Sequence, residues 1–170
     1  TDTVPFGAYR REVFDTVGFF NEKMIRHQDY EFCYRLRQAG GEILLLPQVR
    51  AQYYVRSSLD ALWRQYWQYG TWKGFFIRKH PDSLKLRHMV PPAFILALVL
   101  ALISLFVVEW GFWFMVFILL LYSGFIVAAA VKMSQQAGTW RYAPLLPAIL
   151  MALHLSWGAG VWWGFFTRSI

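Results

Sequence analysis

The chain has 170 residues, with 17 Lys and Arg against 10 Asp and Glu, a formal net charge of +7 and 57% hydrophobic residues. Its charge sits almost wholly in residues 1–88, because Glu109, Lys132, Arg141 and Arg168 are the charged side chains beyond residue 90. That division excludes an ordinary soluble domain. The lone Cys33 excludes an internal disulfide, suits a reducing compartment and reads as a small core residue. A nucleic-acid partner is not implied, since the basic residues crowd beside apolar stretches, where a membrane and its anionic lipids explain them.

In chain order, Pro5 and Gly7 mark a loop, and Arg11 to Val17 form a short helix closed by Gly18. Phe19 and Phe20 lead through Asn21 and Glu22 to the most informative segment, residues 26–41. A helix opened by Asp29 places Phe32, Cys33, Leu36 and Ala39 on one apolar stripe, ended by Gly40 and Gly41. Asp29 falls on the side of that stripe, where the free N–H groups and positive dipole end of the helix favour a negative charge. It reads either as a simple N-cap or as a base. Glu31 falls on the opposite side, one turn before Arg35, as a solvated i,i+4 ion pair. The run Ile43 to Leu46, stopped by Pro47, reads as a buried strand, and Val49 to Val55 as a further extended stretch.

This alternation predicts an α/β fold class for residues 1–56. Two strands cannot cover their own faces, so those residues read as the C-terminal remnant of a larger domain whose missing strands lie upstream of Thr1. Ser57 or Ser58 then caps a helix that starts at Leu59 and continues through Lys73. Its Trp, Tyr, Arg and Lys content suits an interfacial amphipathic helix within a segment 57–88. That helix either anchors the domain on a bilayer or also turns Arg64 and Lys73 toward a phosphate-bearing ligand.

Residues 89–170 read as a transmembrane domain with three spans, about 91–108, 112–131 and 143–166, each near the roughly 20 residues that crossing requires. Arg78, Lys79, Lys85 and Arg87 precede the first span, and Lys132 and Arg141 lie between the second and third, which places residues 1–88 in the cytoplasm. Within the spans, His154 reads as a neutral histidine hydrogen-bonded between helices. Pro144 and Pro147 fall in the first turns of the third span. Gly158 and Gly160 permit close helix contact, and Gly160 with Gly164 matches the small-xxx-small spacing.

The segments Pro5 to Phe14, Arg26 to Phe32, Tyr34 to Gly41, Arg56 to Leu59, Arg64 to Gly70 and Trp72-Lys73 occur in an order that resembles the C-terminal part of membrane-bound family 2 glycosyltransferases. The likeness is to the succinoglycan type that makes bacterial exopolysaccharide. It implies a GT-A fold in which a Rossmann-like sheet binds a nucleotide-sugar, a UDP-hexose, and Mg2+ or Mn2+ through an Asp-x-Asp motif. It also implies an inverting transfer to a polyprenyl-linked or polysaccharide acceptor, with Asp29 as the base. His27, Gln28, Arg64, Tyr66, Tyr69, Trp72 and Lys73 then become acceptor or diphosphate contacts. Gln28 stands where many family members have Glu, and Tyr30 where the succinoglycan-like group often has a second Asp.

No Asp-x-Asp occurs in these residues, so no metal ligand is assigned here, and the fragment alone is expected to be inactive. The implied location is a bacterial inner membrane, crossed several times. Two alternatives stay open. One is a processive synthase that extrudes its polymer, for which three spans make a poor channel. The other is a non-catalytic membrane anchor or assembly subunit of a polysaccharide-synthesis complex.

Overall fold

The computed structural model describes residues 1–4 and 6–167, without the side chain of Arg87. Pro5 of the first motif and Arg168 lie outside the described residues. The described chain is helical: α1 (Arg11–Val17), α2 (Gln28–Gln38), α3 (Leu59–Lys79), a 3-10 turn at Pro81–Ser83, α4 (Leu86–Val107), α5 (Gly111–Ala137) and α6 (Leu146–Phe166).

This overturns the expected α/β class, because no strand forms among the described residues. Ile43 is buried, yet Leu44, Leu45 and Leu46 are 77%, 66% and 56% exposed, and Val49, Tyr53, Tyr54 and Val55 are exposed as well. An apolar run becomes a strand only when a neighbouring backbone takes its N–H and C=O groups. Here the Thr1 ammonium donates to the Ile43 carbonyl at 2.9 Å, and no ladder grows from that contact.

Local signals set the helix ends. Gly18 closes α1 with φ 76°, where a residue without Cβ is unstrained, and its N–H bonds the Phe14 carbonyl. The Ser58 hydroxyl accepts from the Ala61 N–H at 3.2 Å and opens α3. Residues 1–43 pack as a small lobe around two clusters. Cys33, Leu36 and Ile43 meet Val4, Tyr9 and Val13, while Met24, Tyr30 and Tyr34 meet Phe76 and Trp72 on α3. Tyr34 donates to the Asp82 carboxylate at 2.6 Å, and Gln38 donates to the same oxygen at 2.9 Å, which binds α2 to the 3-10 turn.

α3 is enclosed on both sides. One face carries α2; the other lies directly on α6, because Gly70 and Gly74 face Gly160 and Gly164 with no side chains between the backbones. α4, α5 and α6 are each long and apolar enough to cross a membrane. The Tyr122 hydroxyl and the His154 Nδ1 lie 3.3 Å apart between α5 and α6.

Candidate functional site

The first turn of α2 forms one wall of a pocket of about 560 Å3 that also takes in Phe20, Ile25 and Tyr69. His27, Gln28 and Asp29 line it as consecutive residues, together with Arg26. His27 is the N-cap of α2 and has φ 61°, a left-handed conformation that costs a non-glycine residue about 1 kcal/mol. That turn is held by a contact across 42 residues, since the His27 Nε2 lies 2.9 Å from the Tyr69 carbonyl on α3. The partner is an acceptor, so Nε2 carries the proton and donates. Burial lowers the His27 pKa below its ordinary value, and the Lys73 ammonium acts in the same direction.

Asp29 sits in the first turn of α2, not at its opening, and is exposed at the pocket. One of its oxygens accepts from the Tyr30 N–H at 2.8 Å. The two carboxylates are arranged opposite to the helical-wheel reading, because Glu31 is the buried one. Arg35 Nε and Nη2 donate to its two oxygens at 2.7 and 3.0 Å. The same guanidinium donates to the Val17 carbonyl, and to that of Phe19 at 2.8 Å. These bonds fold the 17–20 loop over α2 and remove Glu31 from solvent. They also place Phe20, stacked on Phe32 at 4.6 Å between ring centroids, as the pocket's aromatic wall.

Of the other residues expected to touch ligand, Tyr69 reaches the pocket and accepts at its hydroxyl from Gln65 at 2.9 Å. Tyr66 stands edge-on to Tyr69, with centroids 5.8 Å apart. Trp72 packs on the α2–α3 core instead. Lys73 is 2% exposed, with its ammonium 3.8 Å from the centre of the Tyr30 ring, so it works inside the α2–α3 contact as a cation on an aromatic face. Arg64 pairs with Asp60 on the surface and borders a separate 380 Å3 hollow with Trp63, Trp67 and Gln68.

Sequence reasoning missed Phe20, Ile25 and Arg26 as pocket residues and Arg35 as the clamp that positions them. The i,i+4 spacing of Glu31 and Arg35 was a usable signal. The Tyr9 phenol, whose pKa is raised by burial and by Cys33 beside it, stays protonated and adds no second base. Among the described residues no three His, Cys, Asp or Glu side chains gather.

An exposed carboxylate at a helix start, flanked by an amide, a guanidinium and aromatic rings, can accept a proton from a hydroxyl held in the pocket. Over 164 residues the chain is 31% identical to succinoglycan biosynthesis protein ExoA of Rhizobium meliloti (strain 1021), covering 90% of this chain and 44% of that protein. That likeness to a succinoglycan-biosynthesis protein runs along nearly the whole of this chain. A second relative is the dolichyl N-acetyl-alpha-D-glucosaminyl phosphate 3-beta-D-2,3-diacetamido-2,3-dideoxy-beta-D-glucuronosyltransferase of Methanococcus voltae. It is 32% identical over 80 residues, covering 46% of this chain and 25% of the relative. The chain thus spans less than half the length of either relative. No family model and no solved structure matches it.

Proposed function

We propose that the protein carrying this chain is an inverting glycosyltransferase that moves a hexose from a nucleotide-sugar onto a polyprenyl-linked or polysaccharide acceptor, with Asp29 as general base. The observation that carries this reading is the exposed Asp29 carboxylate in a pocket that Phe20 and Tyr69 also line, in a chain with three helices long and apolar enough to cross a membrane among its described residues. The acceptor hydroxyl gives its proton to Asp29 while its oxygen attacks the anomeric carbon. The bond from that carbon to the diphosphate oxygen breaks, and its electron pair leaves with the nucleotide. Phe20 and Tyr69 offer faces to a sugar ring, and Gln28 and Arg26 offer hydrogen bonds to acceptor oxygens. Arg26 Nε is already oriented by the Gln68 side-chain oxygen at 3.2 Å.

Mg2+ or Mn2+ would stabilise charge on the departing diphosphate, but no residue of this chain is assigned to it. Residues 1–56 then act as the acceptor-side lobe and residues 57–88 join it to the membrane part, in a bacterial inner membrane with residues 1–88 on the cytoplasmic side. The test is transfer of labelled hexose from a panel of nucleotide-sugars to lipid and polysaccharide fractions by the purified full-length protein. Product in one fraction supports the reading. Normal insertion with no transfer from any donor would leave the anchor or assembly role.

A further inference from the structure

α6 meets the α4–α5 hairpin in a way that a crossing helix would not. α4 and α5 run antiparallel, joined at their tip by the Ser104 hydroxyl donating to the Gly111 carbonyl at 3.4 Å and further along by Phe94 stacked on Tyr122 at 3.9 Å. On α6, His154, Gly158 and Trp162 lie four residues apart along one face. His154 reaches Tyr122, beside Phe94. A β-carbon at Gly158 would stand 2.6 Å from the Pro91 carbonyl oxygen and 2.8 Å from Ile95 Cγ1. Trp162 Nε1 donates to the Pro92 carbonyl at 2.8 Å. Going from His154 to Trp162 advances about 12 Å along α6, yet the α4 residues at or beside the contacts of these three lie within Pro91 to Ile95. α6 therefore runs across α4 instead of along it.

The depth of its far end follows. Pro92 lies six residues, about 9 Å, inside the start of α4, and Phe166 lies four residues, about 6 Å, past Trp162. Along the two helix axes these steps add to about 15 Å, half of a hydrocarbon core of about 30 Å, to which the Trp162 side chain adds its own reach. Its N-terminal end follows α5 after only residues 138–145, on that same side of the hairpin.

α3 keeps α6 company at this level. Its contacts climb both helices together: a β-carbon at Gly70 would strike the Trp157 carbonyl, at Gly164 the Thr71 carbonyl and at Gly74 the Val161 carbonyl, so the pair is parallel. At the end of α6, Arg78 donates to the Phe165 and Thr167 carbonyls at 3.1 and 2.6 Å. That guanidinium sits eight residues before α4 begins, where a crossing α6 would not end. The tryptophans sort the same way. Trp110 and Trp113 mark the hairpin tip, and Trp157 lies 6.5 Å from His88 near the start of α4.

We infer that α4 and α5 alone cross the bilayer, and that α3 and α6 lie together in the leaflet on the side where α4 begins, with the exposed Met151, Trp163 and Phe166 turned to lipid. The Asp29 pocket, bound to α3 through His27, is thereby held at headgroup depth. This topology stands independently of the transferase reading.

The test is cysteine accessibility in the full-length protein carrying Cys33→Ala, with single Glu109→Cys, Thr139→Cys and Thr167→Cys substitutions in surface segments. In sealed membranes, a membrane-impermeant maleimide is expected to label Thr139→Cys and Thr167→Cys from one side and Glu109→Cys from the other. Thr167→Cys labelled from the same side as Glu109→Cys would show that α6 crosses and overturn the inference. All three labelled from one side would overturn it by removing the hairpin from the bilayer. A protease-cleavable tag after Ile170 needs no substitution in that segment; it should be cut from the side at which Thr139→Cys labels, and cutting from the opposite side counts against the inference.

Discussion

Arg35→Ala should loosen the whole lobe around Asp29. Its guanidinium makes two bonds to Glu31 and one each to the Val17 and Phe19 carbonyls. Truncation leaves a carboxylate that is only 11% exposed without its cation. Breaking a fully buried pair from one side costs about 3–5 kcal/mol, and the 29% exposure of Arg35 reduces that to about 2–3 kcal/mol. Cys33 is 0% exposed within the same lobe and is the chain's single thiol, so its labelling reports opening of that lobe. When reclosing outpaces labelling, the rate follows the open population, and Arg35→Ala is expected to raise it about 30- to 150-fold. Glu31→Gln added to Arg35→Ala should recover part of the loss, because the stranded charge is gone. A rate within about threefold of wild type, equivalent to about 0.7 kcal/mol, would refute the clamp.

Three further outcomes are expected. Because burial holds the His27 ring neutral while the unfolded chain takes up a proton near pH 6.5, stability should fall as pH drops below about 6.5 and level off above it. Thermal unfolding in detergent at pH 5.5 and 7.5 should show a smaller pH difference for His27→Asn, a residue that tolerates the left-handed turn. Ser58→Ala should cost about 1 kcal/mol, read as roughly fivefold faster hydrogen exchange in the first turn of α3, while Ser58→Asp leaves it unchanged. Gly164→Leu should drive α6 into the Thr71 backbone and lower the melting temperature, whereas Gly124→Leu on α5, where a β-carbon meets nothing within 4 Å, should not.

What could be read from the chain was what short-range chemistry decides. α1 with its closing Gly18, the Ser58 cap, and the long apolar helices each follow from caps and periodicity within a few residues. The 43–55 stretch failed because its apolar residues describe a strand's side chains, while a strand exists only through a neighbouring backbone, and none pairs with this stretch among the described residues. Glu31 was misjudged because a helical wheel cannot see the 17–20 loop, which Arg35 folds over it. The enclosure of α3 was not read from the chain, where only Gly160 and Gly164 were singled out; Gly70 and Gly74 repeat their spacing and meet them in the structure. Within the pocket, His27, Gln28 and Asp29 arrive together by adjacency, and Tyr69 through its carbonyl contact with His27. Arg64 precedes Tyr69 by five residues, about 140° around α3, and so borders a different hollow. Lys73 shares the Tyr69 face but lies one turn further along, beneath Tyr30.

The most direct measurement is the turnover rate of the full-length protein with Asp29→Asn beside Glu31→Gln, each checked for membrane insertion and for Cys33 protection. The account predicts that Asp29→Asn removes transfer by at least about 100-fold with the lobe intact, the low end of a general base's contribution, and that Glu31→Gln costs stability before it costs turnover. Wild-type turnover in a folded, inserted Asp29→Asn protein would contradict it.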